Sequence, residues 1–208
     1  MEKVLVAGAN GTTGKKIVEL LKSSQYFTPV AMVRKESQKV QFEAHNVQTV
    51  LADLEDQVDH AVKGIDKIIF AAGSGGKNVK EVDENGAKKL IDAGKKEQVK
   101  KFVMLSSMGA DHPEDADKLQ DYLFAKQHAD EYLMNSNIPY TIVRPGSLTN
   151  EAGVGKISLA NKFKEHGNIT REDVAHTLVH ALHDNAALNQ TFEILEGNTL
   201  IGKAIPSS

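Results

Sequence analysis

Val4-Leu5-Val6-Ala7-Gly8-Ala9-Asn10-Gly11-Thr12-Thr13-Gly14 is the stretch that decides the fold. An apolar run leads into glycines at positions 8, 11 and 14, and Ile17, Val18, Leu20 and Leu21 then recur at helical spacing. The order is a buried strand, a glycine-rich turn and a helix N-terminus. Such a turn lets backbone approach a pyrophosphate, whose charge the helix's free N–H groups and dipole then hold. The spacing is G-x-x-G-x-x-G rather than G-x-G-x-x-G, so the reading rests on the position of the glycines between strand and helix. A tight strand–helix turn without a ligand is the competing reading.

Outward from this start, short apolar runs alternate with helical patterns. Strands are expected at 29–33, 47–52, 67–71, 102–105 and 140–143, and helices at 13–23, 36–45, 79–98 and 118–135. Continuous apolar strands separated by helices predict an α/β fold, a doubly wound parallel sheet with a ligand crevice at the carboxyl ends of its strands. After Pro145 the pattern loosens. Residues 146–168 read as loop with one short strand candidate at 156–159. Thr170 with Asp173 three residues on announces a helix running to about Asp184, and 191–195 reads as a last strand. The expectation is a single domain over residues 1–208, with residues 147–208 adding a small substrate-side cap.

The 208 residues carry 25 Lys and Arg against 28 Asp and Glu, a net charge of −3, so no nucleic-acid or anionic membrane surface is expected. No apolar stretch approaches the length of a membrane span, and no signal-peptide pattern precedes the first strand. The absence of cysteine rules out disulfides and thiolate chemistry. A cytoplasmic protein is the simplest expectation.

The strand ends hold the candidate site. Gly8, Gly11 and Gly14 form the pyrophosphate turn, to which Asn10, Thr12 and Thr13 add polar contacts. The second strand ends at Arg34 and Lys35, where an acid would accept from an NAD ribose and a cation would meet the 2′-phosphate of NADP. These cations favour NADP, with NAD the alternative; two solvated surface charges are the competing reading. The third strand ends at Asp53-Leu54, read either as an adenine amino acceptor with a packing partner or as a cap for the following turn. The fourth ends at Ala71-Ala72-Gly73, small enough for a cofactor to lie close to backbone. The fifth ends at Ser106-Ser107, and the next helix places Tyr122 and Lys126 four apart on one face. A phenol is a poor acid–base catalyst at neutral pH, and a nearby ammonium favours phenolate and improves it.

With these residues in view, the chain resembles the atypical branch of the short-chain dehydrogenase/reductase superfamily. That branch includes biliverdin/flavin reductase-like proteins, NmrA-like regulators and many bacterial proteins named as NAD-dependent epimerases or dehydratases. The resemblance rests on the glycine turn, Ala71-Ala72-Gly73, Ser106-Ser107, Tyr122 with Lys126, and Arg144-Pro145-Gly146. It implies Ser107, Tyr122 and Lys126 as catalytic residues. It further implies Ser106, Lys126, Pro145 and Gly146 beside the nicotinamide. The chain departs from sugar-nucleotide epimerases of the superfamily by Met108, where they often carry Ser or Thr, and by its length, which leaves no room for a sugar-gripping lobe.

Two functions from different classes follow. The first is an NADP-dependent oxidoreductase passing hydride to or from a small carbonyl, quinone or flavin-like substrate. The second is a non-catalytic NAD(P)H-binding redox sensor, which has no need of Ser107, Tyr122 and Lys126. The chain is expected as a monomer or homodimer with a small-molecule substrate. His176, His180 and His183 share one helix face, but no carboxylate completes a metal motif there, and no metal is expected.

Overall fold

The computed structural model describes residues 1–207; Ser208, the last residue of the expected domain, lies outside the described residues. Strand β1 (Glu2–Ala7) leads through the glycine turn into helix α1 (Thr12–Lys22), followed by β2 (Phe27–Val33), α2 (Glu36–Glu43), β3 (Gln48–Leu51) and β4 (Lys67–Phe70). The predicted helix over 79–98 divides in two. A wide turn at Val79–Asn85 runs into α3 (Gly86–Lys96), and the Gly86 N–H reaches back five residues to the Glu81 carbonyl. Then come β5 (Lys101–Leu105), α4 (Gln120–Met134) and β6 (Tyr140–Pro145).

The segment read as loop contains two short strands, β7 (Ser147–Thr149) and β9 (Asn168–Thr170), which pair in parallel, with β8 (Lys156–Ala160) between them in sequence. Helix α5 (Arg171–His180) ends one turn short of the expected Asp184, and β10 (Gln190–Glu196), β11 (Thr199–Leu200) and α6 (Ile201–Ala204) complete the chain.

The main sheet has the order β11-β8-β10-β6-β5-β4-β1-β2-β3. The pairs from β3 across to β10 are parallel, and β8 runs antiparallel to β10 and β11, so the sheet is mostly rather than wholly parallel. Strand direction of travel reverses at β1, which lies between β4 and β2. That switch point opens a crevice above the strand ends. Among the residues after 147, β8, β10 and β11 extend the central sheet.

Alternation in β1 shows why both faces are covered. Val4 and Val6 join the core under α1 and α5 with Ile17, Val18, Val174 and Leu178, whereas Leu5 and Ala7 join the core under α3 and α4 with Leu90, Ile91 and Leu133. Val4, Leu5 and Val6 are fully buried. Each such side chain contributes about 1.5–3 kcal/mol by leaving water, so a strand of unbroken apolar residues is stable only in this sandwiched position.

Candidate functional site

The three glycines do different work. Gly8 has φ +84°, and a Cβ there would lie 2.6 Å from the Ala71 carbonyl oxygen and from Ala72 backbone. A Cβ on Gly14 would lie 2.1 Å from the Gly8 carbonyl oxygen. Both positions are closed to any side chain by the fold itself. Gly11 is extended, and its Cβ would meet only the Gly8 oxygen, at 3.2 Å. Its N–H donates to that oxygen at 2.9 Å, and its open side faces the crevice.

No side chain caps α1, and its first turn holds no acid. By contrast, α5 is capped by Thr170 and opens with Glu172 and Asp173. An eleven-residue helix with an uncapped, unneutralised N-terminus beside a glycine turn fits a bound phosphate. The buried Asn10 Oδ1, which has no hydrogen-bond partner among the described residues, adds an acceptor for a ligand hydroxyl or amide. Thr12 is exposed at the helix start and Thr13 is buried beside it.

A cleft of about 430 Å³ lies over the carboxyl ends of β1 to β4. Gly8, Asn10 and Gly11 form one wall, and Ala71, Ala72 and Gly73 another. At the end of β2, exposed Arg34 lines the cleft and makes no ion pair among the described residues. Lys35 does not line it; the N–H groups of Arg34 and Lys35 both donate to Gln38 Oε1, at 3.1 and 3.2 Å. Gln38 also lines the cleft. Its signal in the sequence was a Gln at the third position of α2, the reaching-back residue of a capping box.

Asp53 lines the cleft while its Oδ1 accepts from the Glu55 N–H at 3.1 Å, the turn-capping arrangement. Leu54 is both wall and core, because a Cβ on Gly86 would fall 2.7 Å from the Leu54 Cβ. Thr12, Thr13 and Gly14 do not line the cleft.

The second group lies at the ends of β5 and β6. Lys126 is almost wholly buried, with Nζ 3.4 Å from the Leu105 carbonyl oxygen and 5.5 Å from the centre of the Tyr122 ring. The sequence-predicted pair therefore meets, with the ammonium over the phenol's face. Ser107 is half-buried and its hydroxyl donates to the Met108 carbonyl at 3.1 Å. Ser106, expected beside the cofactor, instead donates its hydroxyl to Asp130 Oδ2 at 2.8 Å. The same oxygen accepts from Arg144 Nε at 3.0 Å and pairs with Nη2 at 2.9 Å.

Burial pushes the Asp130 carboxyl up and the Arg144 charge opposes that push. The backbone around Pro145 and Gly146 is occupied internally. The Pro145 carbonyl accepts from the Met108 N–H, and a Cβ on Gly146 would lie 2.3 Å from the Gly167 carbonyl oxygen. Neither residue lines the cleft. Sequence reasoning missed Asp83 and Asp130, because an acid in an amphipathic helix ordinarily reads as solvated.

Further out, Lys162 after β8 donates to Asp111 after β5 at 2.7 Å, tying two loops together. The Glu193 carboxylate of β10 accepts from the Phe163 N–H at 2.6 Å. Of the three histidines on one predicted face, His180 and His183 meet edge to face with ring centres 5.7 Å apart, and His176 is exposed. Burial lowers the pKa of both His180 and His183. Among the described residues, no three His, Cys, Asp or Glu side chains converge to hold a metal. No described helix is long and apolar enough to cross a membrane.

A mostly parallel sheet, a strand–glycine turn–helix unit and a cleft at the switch point define a Rossmann-type nucleotide-binding protein. A sequence model described as NAD(P)H-binding matches residues 8–185, and the chain belongs to that family. It is 41% identical to the uncharacterized sugar epimerase YhfK of Bacillus subtilis, over 98% of both chains. It is 29% identical to sanguinarine reductase of Eschscholzia californica, over 97% of this chain and 91% of that one. A solved structure from Bacillus halodurans, provisionally named an NAD-dependent epimerase/dehydratase, matches at 38% identity and a TM-score of 0.93, over 98% of each chain.

Proposed function

We propose that the chain is an NADP-dependent oxidoreductase that reduces a small carbonyl, quinone or flavin-like substrate. The observation that carries this reading is the folding together of Lys126 and Tyr122 at the end of β5, beside a cleft whose far end presents the exposed cation Arg34. A sensor would need the cleft and the cation but not the phenol–ammonium pair. Kinship with a protein named as a reductase supports the same class. The absence of a third hydroxyl after Ser107, where Met108 stands, weighs against sugar epimerisation.

Gly11 admits the pyrophosphate, the α1 N-terminus holds its charge, and Arg34 meets the ribose 2′-phosphate. The nicotinamide, when bound, supplies the hydride. Ser107 orients the substrate oxygen once its hydroxyl turns from the Met108 carbonyl. Tyr122 delivers the proton, and the Lys126 ammonium favours the phenolate left behind. Rapid reprotonation of that phenolate from solvent resets the site.

The test is NADPH oxidation over a panel of quinones, flavins and aldehydes with the parent and Tyr122→Phe. Loss of a general acid typically costs about 100- to 10,000-fold, so turnover should fall by that much while NADPH affinity holds. Undiminished turnover in the variant transfers proton delivery to water and removes Tyr122 from the mechanism. NADPH binding without turnover on any substrate assigns the chain to the sensor class.

A further inference from the structure

We infer that Asp83 is a positioning residue, one carboxylate that fastens the cofactor-side rim to the buried Lys126 side chain. The inference rests on the cofactor reading above. Asp83 sits in the wide turn at Val79–Asn85, where hydrogen bonds reach back five residues. Such turns shift side chains off the α-helical register and are frequent at functional sites.

Here the shifted side chain is 1% exposed and points inward between two elements. Its Oδ2 accepts from the Ser74 N–H at 3.0 Å, holding the loop that continues from Gly73 along the cleft. Its Oδ1 lies 3.4 Å from Lys126 Nζ and has no hydrogen bond among the described residues. A Cβ on Gly73 would come within 3.3 Å of that Oδ1, so the rim's lack of a side chain and the position of the carboxylate are matched.

Among the described residues, Lys126 has one anion, Asp83, within ion-pair distance. Its other neighbours are the Leu105 carbonyl and the faces of Phe70 and Tyr122. Asp130, one turn further along α4, is engaged by Arg144 and Ser106. Glu84, beside Asp83 in sequence, is taken by Lys88 and His128. A buried ammonium without a facing carboxylate is an uncompensated charge, and removing one partner of such a pair is costly. Asp83 is therefore the group that compensates Lys126, and it links that side chain to the rim over which the cofactor must lie.

The experiment is a double-mutant cycle read by fluorescence titration of NADPH, with thermal melts, for the parent, Asp83→Asn, Lys126→Met and the double variant. Asparagine keeps an acceptor for the Ser74 N–H and removes the charge. Asp83→Asn should bind NADPH about tenfold or more weakly than the parent, and adding it to Lys126→Met should cost less than about threefold, because the carboxylate then has no ammonium to hold. A variant that binds as the parent does, or one that costs the same with and without Lys126, overturns the inference, whatever its melting temperature.

If Asp83→Asn does not fold, the double variant Asp83→Asn/Lys126→Met removes both charges. A double variant that folds supports the pair, because removing the ammonium relieves the charge that the missing carboxylate left uncompensated. A double variant that also fails to fold shows that the loss does not run through Lys126, and overturns it. A parent that binds no NADPH overturns the cofactor reading and this inference together. A parent that binds while the variant tracks it overturns this inference alone.

Discussion

Replacing Lys101 with methionine should remove a pH dependence of stability that the parent carries above neutrality. Lys101 opens β5, is 1% exposed, and donates to the carbonyls of His183 at 2.9 Å and Ala186 at 2.6 Å. Neither partner carries a charge. Burial first, and the Lys67 ammonium second, hold its pKa down to about 8, against 10.5 in the unfolded chain. Below pH 8 the folded protein must bury a cation. Between the folded and unfolded pKa values the unfolded chain binds more protons than the folded one. Stability therefore rises with pH through that window.

With these two pKa values, linkage gives a gain of about 2 kcal/mol between pH 7 and pH 9.5. Urea denaturation at both pH values, with parent and Lys101→Met, measures it. The parent should gain that amount and the variant should gain almost none. At pH 7 the variant gains by shedding a buried charge but leaves two carbonyls short of a donor, at about 1–3 kcal/mol each, so its absolute stability is not the test. Equal pH slopes in the two proteins would falsify the assignment of this window to Lys101.

Arg34→Ala should weaken NADPH binding roughly 10- to 100-fold, the range of one charge-assisted hydrogen bond, and leave NADH nearly unchanged in calorimetry; equal losses would place Arg34 in stability rather than recognition. Gly14→Ala should fail to fold, since its Cβ meets backbone at 2.1 Å, whereas Gly11→Ala should melt close to the parent yet lose NADPH affinity. Circular dichroism and fluorescence titration separate these outcomes. Thr170→Ala should cost about 1 kcal/mol through loss of the α5 cap. Asp173→Ala should cost more, because its carboxylate also accepts from the N–H groups of Val154 and Gly155, and amide exchange at those two positions should accelerate.

What was legible in the sequence was local. The apolar run at 4–7, the glycines after it and the apolar residues of α1 state strand, turn and helix in order, because burial on both faces leaves no polar alternation to confuse the reading. The Thr170 cap was legible for the same reason, its partner Asp173 lying three residues away. The pairing of β7 with β9 was not. Each is three residues long, and Ser147-Leu148-Thr149 finds Asn168-Ile169-Thr170 only through a register that no local pattern encodes.

The buried acids were hidden differently. Asp83 and Asp130 sit among lysines and glutamates that are solvated, and only tertiary partners, Lys126 for one and Arg144 with Ser106 for the other, mark them out. Lys67 and Lys101 begin strands that read as apolar, and their burial depends on acceptors more than 80 residues further on. Tyr122 and Lys126 meet on one face of α4 as their spacing implied, but nothing in the motif foretold that the ammonium faces a carboxylate.

The insertion of β10 between β6 and β8 has a consequence for synthesis. Strand β6 carries Arg144 and leads into Gly146, whose N–H donates to the Ile194 carbonyl of β10. As the chain emerges from the ribosome, the glycine turn, the cleft and the Tyr122–Lys126 helix are all complete some fifty residues before that partner appears. Until then β6 is an open edge of apolar strand, able to pair with another unfinished copy. The part of the molecule that holds the dinucleotide thus matures first. The sheet edge built from β10 and β8 waits for nearly the last strand to be made, so crowded nascent chains should be most prone to misassembly in the interval between them.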